Sequence, residues 1–288
     1  MPIDYEKLMG WRFEPIEHTY QDKDTILYAL GVGFGTNVTD DNELGFLYED
    51  NLVAMPTMAS VLATPGFWLK DPETGVDWKQ VLHGEQFLAV HKPLPTAGTV
   101  TGELRVTNLI DKGADKGAVL FLERILYDNA TGDLLCTLSA TTMLRGDGGF
   151  GWPEGKVPKP ASIPDREPDL VCDLPTLTQA AAIYRLCGDR NPLHIDPAVA
   201  AAAGFDRPIL HGLCTYGVAC HAILKSVCDY RPEAVRSFNV RFSAPVYPGE
   251  TIRTQIWKQE QSLAFRASVV ERDVVVLNNG SAELRTVA

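Results

Sequence analysis

The chain has 288 residues, is 45% hydrophobic and 22% charged, and carries a formal net charge of −11. Those values support a folded core and argue against disorder, and the acidic balance argues against a nucleic-acid partner, because phosphate binding needs a basic face. An anionic small ligand then requires a few Lys or Arg focused locally.

The six cysteines, at 136, 172, 187, 214, 220 and 228, form no C-x-x-C pair and several stand in apolar helical context, so reduced, buried thiols are expected. The start "MPIDYEKLMGW" lacks the basic and apolar regions of a signal peptide, and the end "ELRTVA" lacks a Ser-Lys-Leu address, which together point to the cytoplasm.

Along the chain, residues 23–30 predict a short helix ended by Gly31. His83-Gly84 then follows the apolar "QVL", and "HKPLPTAGTVTGELRV" reads as a Pro-rich turn, a Gly and an alternating strand. "GAVLFLERILYD" and "LLCTLSATTMLR" add further strands. Residues 145–169 are dense in Gly, Pro and charge without periodicity, the composition of a linker.

The second half repeats that grammar. A helix is predicted over 173–187, ended by Gly188, then a loop holding Asp189, Asn191 and His194 that Pro192 keeps from becoming helical. Asp196-Pro197 reads as an N-cap and first helical residue of a small helix ending near Gly204. His211-Gly212 follows "PIL" and leads into an apolar helix over 213–228, whose 16 residues with His221 and Lys225 are too short and too polar to span a bilayer. "SAPVYPGETIRTQIW", "LAFRASVVER" and "VVVLNNGSAELRTV" close the chain as strands. Helices followed by blocks of antiparallel strands, twice over, predict an α+β protein: a domain at 1–150, a linker at 151–169 and a second domain at 170–288.

"YALGVG" at 28–33 echoes "YRLCGDRNPLH" at 184–194, but only the second copy has the Asp and the His. A carboxylate and an imidazole on one short loop are the two commonest acid/base groups, and His exchanges protons near neutral pH. An Asp and an Asn beside helix ends also serve as caps. Asp189, His194, Asp196 and His211 could form a metal site, but no H-x-x-x-H or H-E-x-x-H spacing supports one, and neither metal nor cofactor is expected. Gly31, Gly33 and Gly35 follow a helical run instead of a strand, which weakens a dinucleotide-binding reading.

"YRLCGDRNPLHIDPAVAAAAGF" and "PILHGLCTYG" resemble the signature of the hydratase 2, or MaoC-like dehydratase, family, with Tyr184, Gly188, Asp189, Asn191, Pro192 and His194 at family spacing. "VLHGEQ", "KPLPTAG", "LIDKG" and "VRFSAPVYPGE" extend the resemblance to essentially the whole chain. It implies a double hot-dog fold, each half an antiparallel sheet around a central helix, and reversible hydration of a trans-2-enoyl-CoA to the (3R)-3-hydroxyacyl-CoA. It further implies Asp189 and His194 as the acid/base pair, Asn191 as their orienting neighbour, and the Gly212 N–H as the thioester oxygen's donor. His83, Gly84, Lys112 and Phe242 correspond to substrate-contacting positions, and Tyr28, Glu49 and Tyr184 to positions linked to activity. By itself each of these has a plain structural reading: His83, Tyr28 and Tyr184 as packing residues, Lys112 as a turn lysine. Lys112, with Arg207 and Arg241, is the candidate positive patch for CoA. The first half is expected to bind the acyl-CoA without catalysing, and a homodimer is implied. The competing readings are a hot-dog thioesterase and a non-catalytic acyl-CoA binding module.

Overall fold

The computed structural model describes residues 3–37, 39–151 and 160–285. Residues 152–159 of the expected linker lie outside that set, as do residues 1, 2, 38 and 286–288.

Ten strands form one antiparallel sheet. They are β1 (Ile16–Tyr20), β2 (Val81–Val90), β3 (Gly98–Asp111), β4 (Ala118–Asp128), β5 (Leu134–Leu144), β6 (Leu170–Pro175), β7 (Val235–Phe242), β8 (Thr251–Lys258), β9 (Ser262–Val269) and β10 (Val274–Leu284). The order β1-β3-β4-β5-β2-β7-β10-β9-β8-β6 is two five-stranded halves of matching order, joined where β2 pairs with β7. This is the double hot-dog arrangement anticipated from the sequence.

The helices are α1 (Tyr5–Met9), α2 (Asp22–Gly31), α3 (Asp41–Leu44), α4 (Ala180–Tyr184), α5 (Pro197–Ala202) and α6 (Gly212–Val227). Helix α2 starts with reciprocal bonds between Gln21 and Asp24, with Asp22 and Asp24 in a first turn where negative charge suits the dipole. The α6 sequence is apolar almost all round, and residues Cys214–Leu224 are all buried. It packs against β6, β7 and β8 on one side and the 3₁₀ segment Pro56–Val61 on the other.

Two expectations are corrected. The helix predicted over 173–187 is strand β6, a break, then only α4 and the 3₁₀ turn Arg185–Cys187. Residues 170–175 alternate in burial, Pro175 disfavours helical backbone at Leu174, and Asp173 pairs with Arg253 at 2.7 Å instead of capping a helix. The two halves also differ at their centres, since the first has no long helix there. Its place beside α6 is taken by Pro56–Val61, wholly buried, whose Ala59 and Ser60 carbonyls accept from the buried Arg124 guanidinium at 3.0 and 2.9 Å. A second core, unforeseen in the sequence, joins α1 and residues Leu69, Val106, Leu109, Leu120 and Leu144, with Trp11 and Phe13 packed on Trp68 at 5.4 and 5.0 Å. The six cysteines are unpaired, and all but Cys187 are buried. Among the described residues no helix is long and apolar enough to cross a membrane.

Candidate active site

Tyr184 ends α4, and Gly188, at φ 139°, takes the chain through a turn that L side chains rarely adopt. That turn delivers Asp189. Its Oδ1 accepts the Asn191 N–H at 3.1 Å, and the Asn191 Oδ1 in turn accepts the Leu193 N–H at 3.2 Å, capping the 3₁₀ turn Pro192–His194. Asn191 therefore stiffens the loop that holds the pair. Asp196 likewise caps α5 through the Ala198 N–H at 2.8 Å, which takes it out of any metal set.

His194 is buried, with Nδ1 2.9 Å from the Ile209 carbonyl. A carbonyl can only accept, so Nδ1 carries the proton and Nε2 keeps its lone pair. Burial lowers the pKa of His194, opposed by that bond and by Asp189. His211, immediately before α6, stacks on His194 at 3.8 Å between ring centroids and lies 5.0 Å from the Tyr184 ring. Its Nε2–H donates to the Asp189 backbone carbonyl at 3.0 Å, which fixes the position of the carboxylate's own residue. Burial first, then the neighbouring His194, pushes the His211 pKa down to about 4, so this imidazole stays neutral.

Asp189, His194 and His211 each offer an atom within 4.8 Å of the others. One nitrogen of each histidine is engaged by a backbone carbonyl, His194 Nδ1 by Ile209 and His211 Nε2 by Asp189, and a water held between Asp189 and His194 suits acid/base chemistry.

Sheet pairing supplies the opposite wall. Glu85 on β2 stands across from Arg241 on β7, and this register sets the His83 ring 4.7 Å from Phe242. Gly84 sits at a register shift in β2, where a Cβ would come 2.8 Å from the Thr141 hydroxyl, so only Gly lets β2 lie this close to β5. His83 is open to solvent, yet dense protein around it lowers its pKa, with the Glu85 carbonyl and Asp189 acting the other way. Gly212, exposed, is the first residue of α6, where the backbone N–H precedes the intrahelical ladder. A Cβ there would press on the Phe242 ring at 3.2 Å.

The structure thus brings together Asp189, His194, Gly212, His83, Gly84 and Phe242. Tyr28 and Tyr184 are wholly buried with rings 5.8 Å apart; Tyr184 meets the site through His211, and Tyr28 stands one ring further back. Lys112 is exposed in the turn after β3, and Glu49 is exposed in the loop after α3, with no bond to the acid/base pair among the described residues. His211 was visible in the sequence only as a metal candidate; its function in holding Asp189 depends on a contact across 22 positions.

Ten strands in two matched halves, with a carboxylate and two imidazoles gathered at the start of one buried helix, define a double hot-dog protein. The chain belongs to the MaoC-like dehydratase family. Residues 159–280 match the MaoC like domain and residues 18–146 the MFE-2 hydratase 2 N-terminal domain. Enoyl-CoA hydratase ChsH3 of Mycobacterium tuberculosis is 41% identical over 287 residues, covering 97% of this chain and 98% of that one. The peroxisomal enoyl-CoA hydratase 2 of Arabidopsis thaliana is 38% identical, covering 94% and 92%. The crystal structure of a MaoC-like dehydratase from Phytophthora capsici superposes with a TM-score of 0.86 at 33% identity, over 98% of this chain and 99% of that one.

Proposed function

We propose that this protein is an (R)-specific 2-enoyl-CoA hydratase, adding water reversibly and syn across trans-2-enoyl-CoA to form (3R)-3-hydroxyacyl-CoA. The observation that carries the reading is a carboxylate oxygen of Asp189 and a ring nitrogen of His194 within 4.8 Å of each other, with the Gly212 N–H at the start of α6 next to His211, which stacks on His194. Water held between the pair loses a proton to it as its oxygen bonds to C3, and the pair returns a proton to C2. The dyad ends the cycle as it began, so no cofactor is needed. Charge develops on the thioester oxygen as the enolate forms, and the Gly212 N–H at the positive end of the 16-residue α6 stabilises it. Asn191 and His211 hold the dyad in place; His83, Gly84, Phe242 and Lys112 line the path of the CoA arm. The catalytic groups come from residues 170–288, while residues 1–150 supply the opposite wall for acyl-CoA.

Crotonyl-CoA incubated with the protein, followed by chiral analysis, should yield the R hydroxyacyl ester with no free thiol. Thiol release with the double bond intact would instead support a thioesterase, and binding without conversion an acyl-CoA binding module. We further propose a cytoplasmic homodimer. The unpaired cysteines fit a reducing compartment, and the edge strands β1 and β6 are open to pairing. Size-exclusion chromatography with light scattering tests the second point.

A further inference from the structure

We propose that Phe67, Lys70, Trp78 and Lys79 form a subsite for the adenine nucleotide end of coenzyme A, so that the substrate is a CoA ester and not a carrier-protein ester. This rests on the hydratase reading above. The Phe67 and Trp78 rings meet edge to face at 5.9 Å, and both are more than a third exposed, at 39% and 38%. The Lys70 Nζ lies 4.8 Å from the Trp78 ring centre and 5.1 Å from that of Phe67, and the Lys79 Nζ lies 5.9 Å from Trp78.

Neither lysine has an ion-pair partner among the described residues. The carboxylates nearest in sequence are occupied: Asp71 caps the Glu73 N–H, Glu73 pairs with Lys7, and Asp77 accepts from Gln80. On a chain of net charge −11, two unpaired ammonium groups over exposed aromatic faces make a local site for a base with phosphates.

The platform is rigid and well placed. Trp68 and Leu69 anchor it in the second core, the buried Thr74 hydroxyl donates to the Asp71 carbonyl at 2.7 Å, and the Asp77 N–H donates to Asp147 at 3.1 Å. Trp78 opens the 3₁₀ turn that runs into β2, five residues before His83, a span of at most about 17 Å. Lys112 emerges at the same end of the sheet, because Ala118, at the close of its turn, pairs with Leu144, which pairs with Val81. The span of at most about 17 Å between His83 and Trp78 puts the indole within reach of a pantetheine arm that leaves the thioester beside Gly212 and passes His83. Its adenine stacks on the indole, and Lys70 and Lys79 take phosphate oxygens.

Steady-state hydration of crotonyl-CoA and crotonyl-pantetheine, which lacks the nucleotide, separates the roles. Trp78→Ala should raise KM for the CoA ester about tenfold, the scale of one lost base stack, and leave the pantetheine ester unchanged. Trp78→Phe should restore most of the affinity, and Lys70→Glu with Lys79→Glu should raise KM for the CoA ester alone. A CoA KM within about twofold of wild type in both Trp78→Ala and the double lysine variant, or equal shifts for both esters, overturns the subsite. Calorimetric titration with adenosine 3′,5′-bisphosphate reads the subsite without turnover: binding should be seen in the wild type and lost in Trp78→Ala. If the wild type binds that nucleotide but hydrates neither ester, the hydratase reading fails and the subsite stands.

Discussion

The α2 and α4 regions of the two halves begin alike and then diverge. Tyr28 of α2 and Tyr184 of α4 pack ring to ring, and a Cβ on Gly31 would lie 3.4 Å from Tyr184, so the shared Tyr-x-Leu serves to dock one half on the other. After the second copy the chain turns at Gly188 and brings Asp189 and His194 together with His211. After the first it turns inward. The Gly31 carbonyl accepts from the Cys214 thiol at 3.2 Å, the Val32 carbonyl from His221 Nδ1 at 3.2 Å, and Phe34 stacks on His221 at 3.6 Å. The first copy has become part of the seat for α6, with its reactive positions replaced by groups that pack. A duplicated segment keeps its fold-building residues in both copies, while its chemistry needs only one.

The sharpest way to break this contrast is in the second copy. Asp189→Asn and His194→Gln should each lower kcat for enoyl-CoA hydration by about 10³-fold with circular dichroism unchanged; near-wild-type turnover in either removes that residue from the mechanism. His211→Ala comes next. Loss of its bond to the Asp189 carbonyl should cut kcat about ten- to a hundredfold while KM holds, and a rise in KM alone would show that it serves binding instead. In the first copy, Val32→Asp should create no second active site, because Val32 is wholly buried against Gly217. An unpaired carboxylate there should cost about 3 kcal/mol or more and lower Tm by roughly 6 °C, whereas an undiminished Tm would mean that the position is less tightly packed than it looks.

His211 should also make stability depend on acidity. His211 titrates at an ordinary 6.5 when unfolded and at about 4 when folded, so below 6.5 the unfolded chain binds the extra proton. Its contribution is complete above pH 6.5 and is lost progressively as pH falls from 6.5 toward 4. His211→Ala should flatten that part of the stability curve, measured by denaturant unfolding across pH. The smallest effect is expected at Lys112→Glu, a several-fold higher KM for the CoA ester at unchanged kcat, more marked at low salt; unchanged kinetics would place Lys112 outside the CoA path.

Much of the site was legible because its residues are close in sequence. Gly188 had to end a helix, Pro192 had to keep 189–194 short, and Asp196-Pro197 had to start α5, so local rules alone set the carboxylate and imidazole on one stiff loop. The helix expected over 173–187 was misread where an alternating strand and a proline overrode the helix-end signals around it. The likeness of His83-Gly84 to His211-Gly212 ends at the pair, as the flanking sequence implied: the first lies within strand β2 and the second opens α6.

From the sequence alone came the duplicated α+β plan, the acid/base loop with its missing twin, and an acidic surface that forces any anion to a local basic patch. These follow from periodicity, capping and charge, which act over a few residues. Tertiary structure alone decided that β2 lies beside β7, bringing His83 to Phe242, that His211 reaches back to Asp189, and that a short buried 3₁₀ segment replaces the first half's long helix. Those outcomes turn on contacts between residues tens to more than a hundred positions apart. Their energies come from burial and register, which no local pattern encodes.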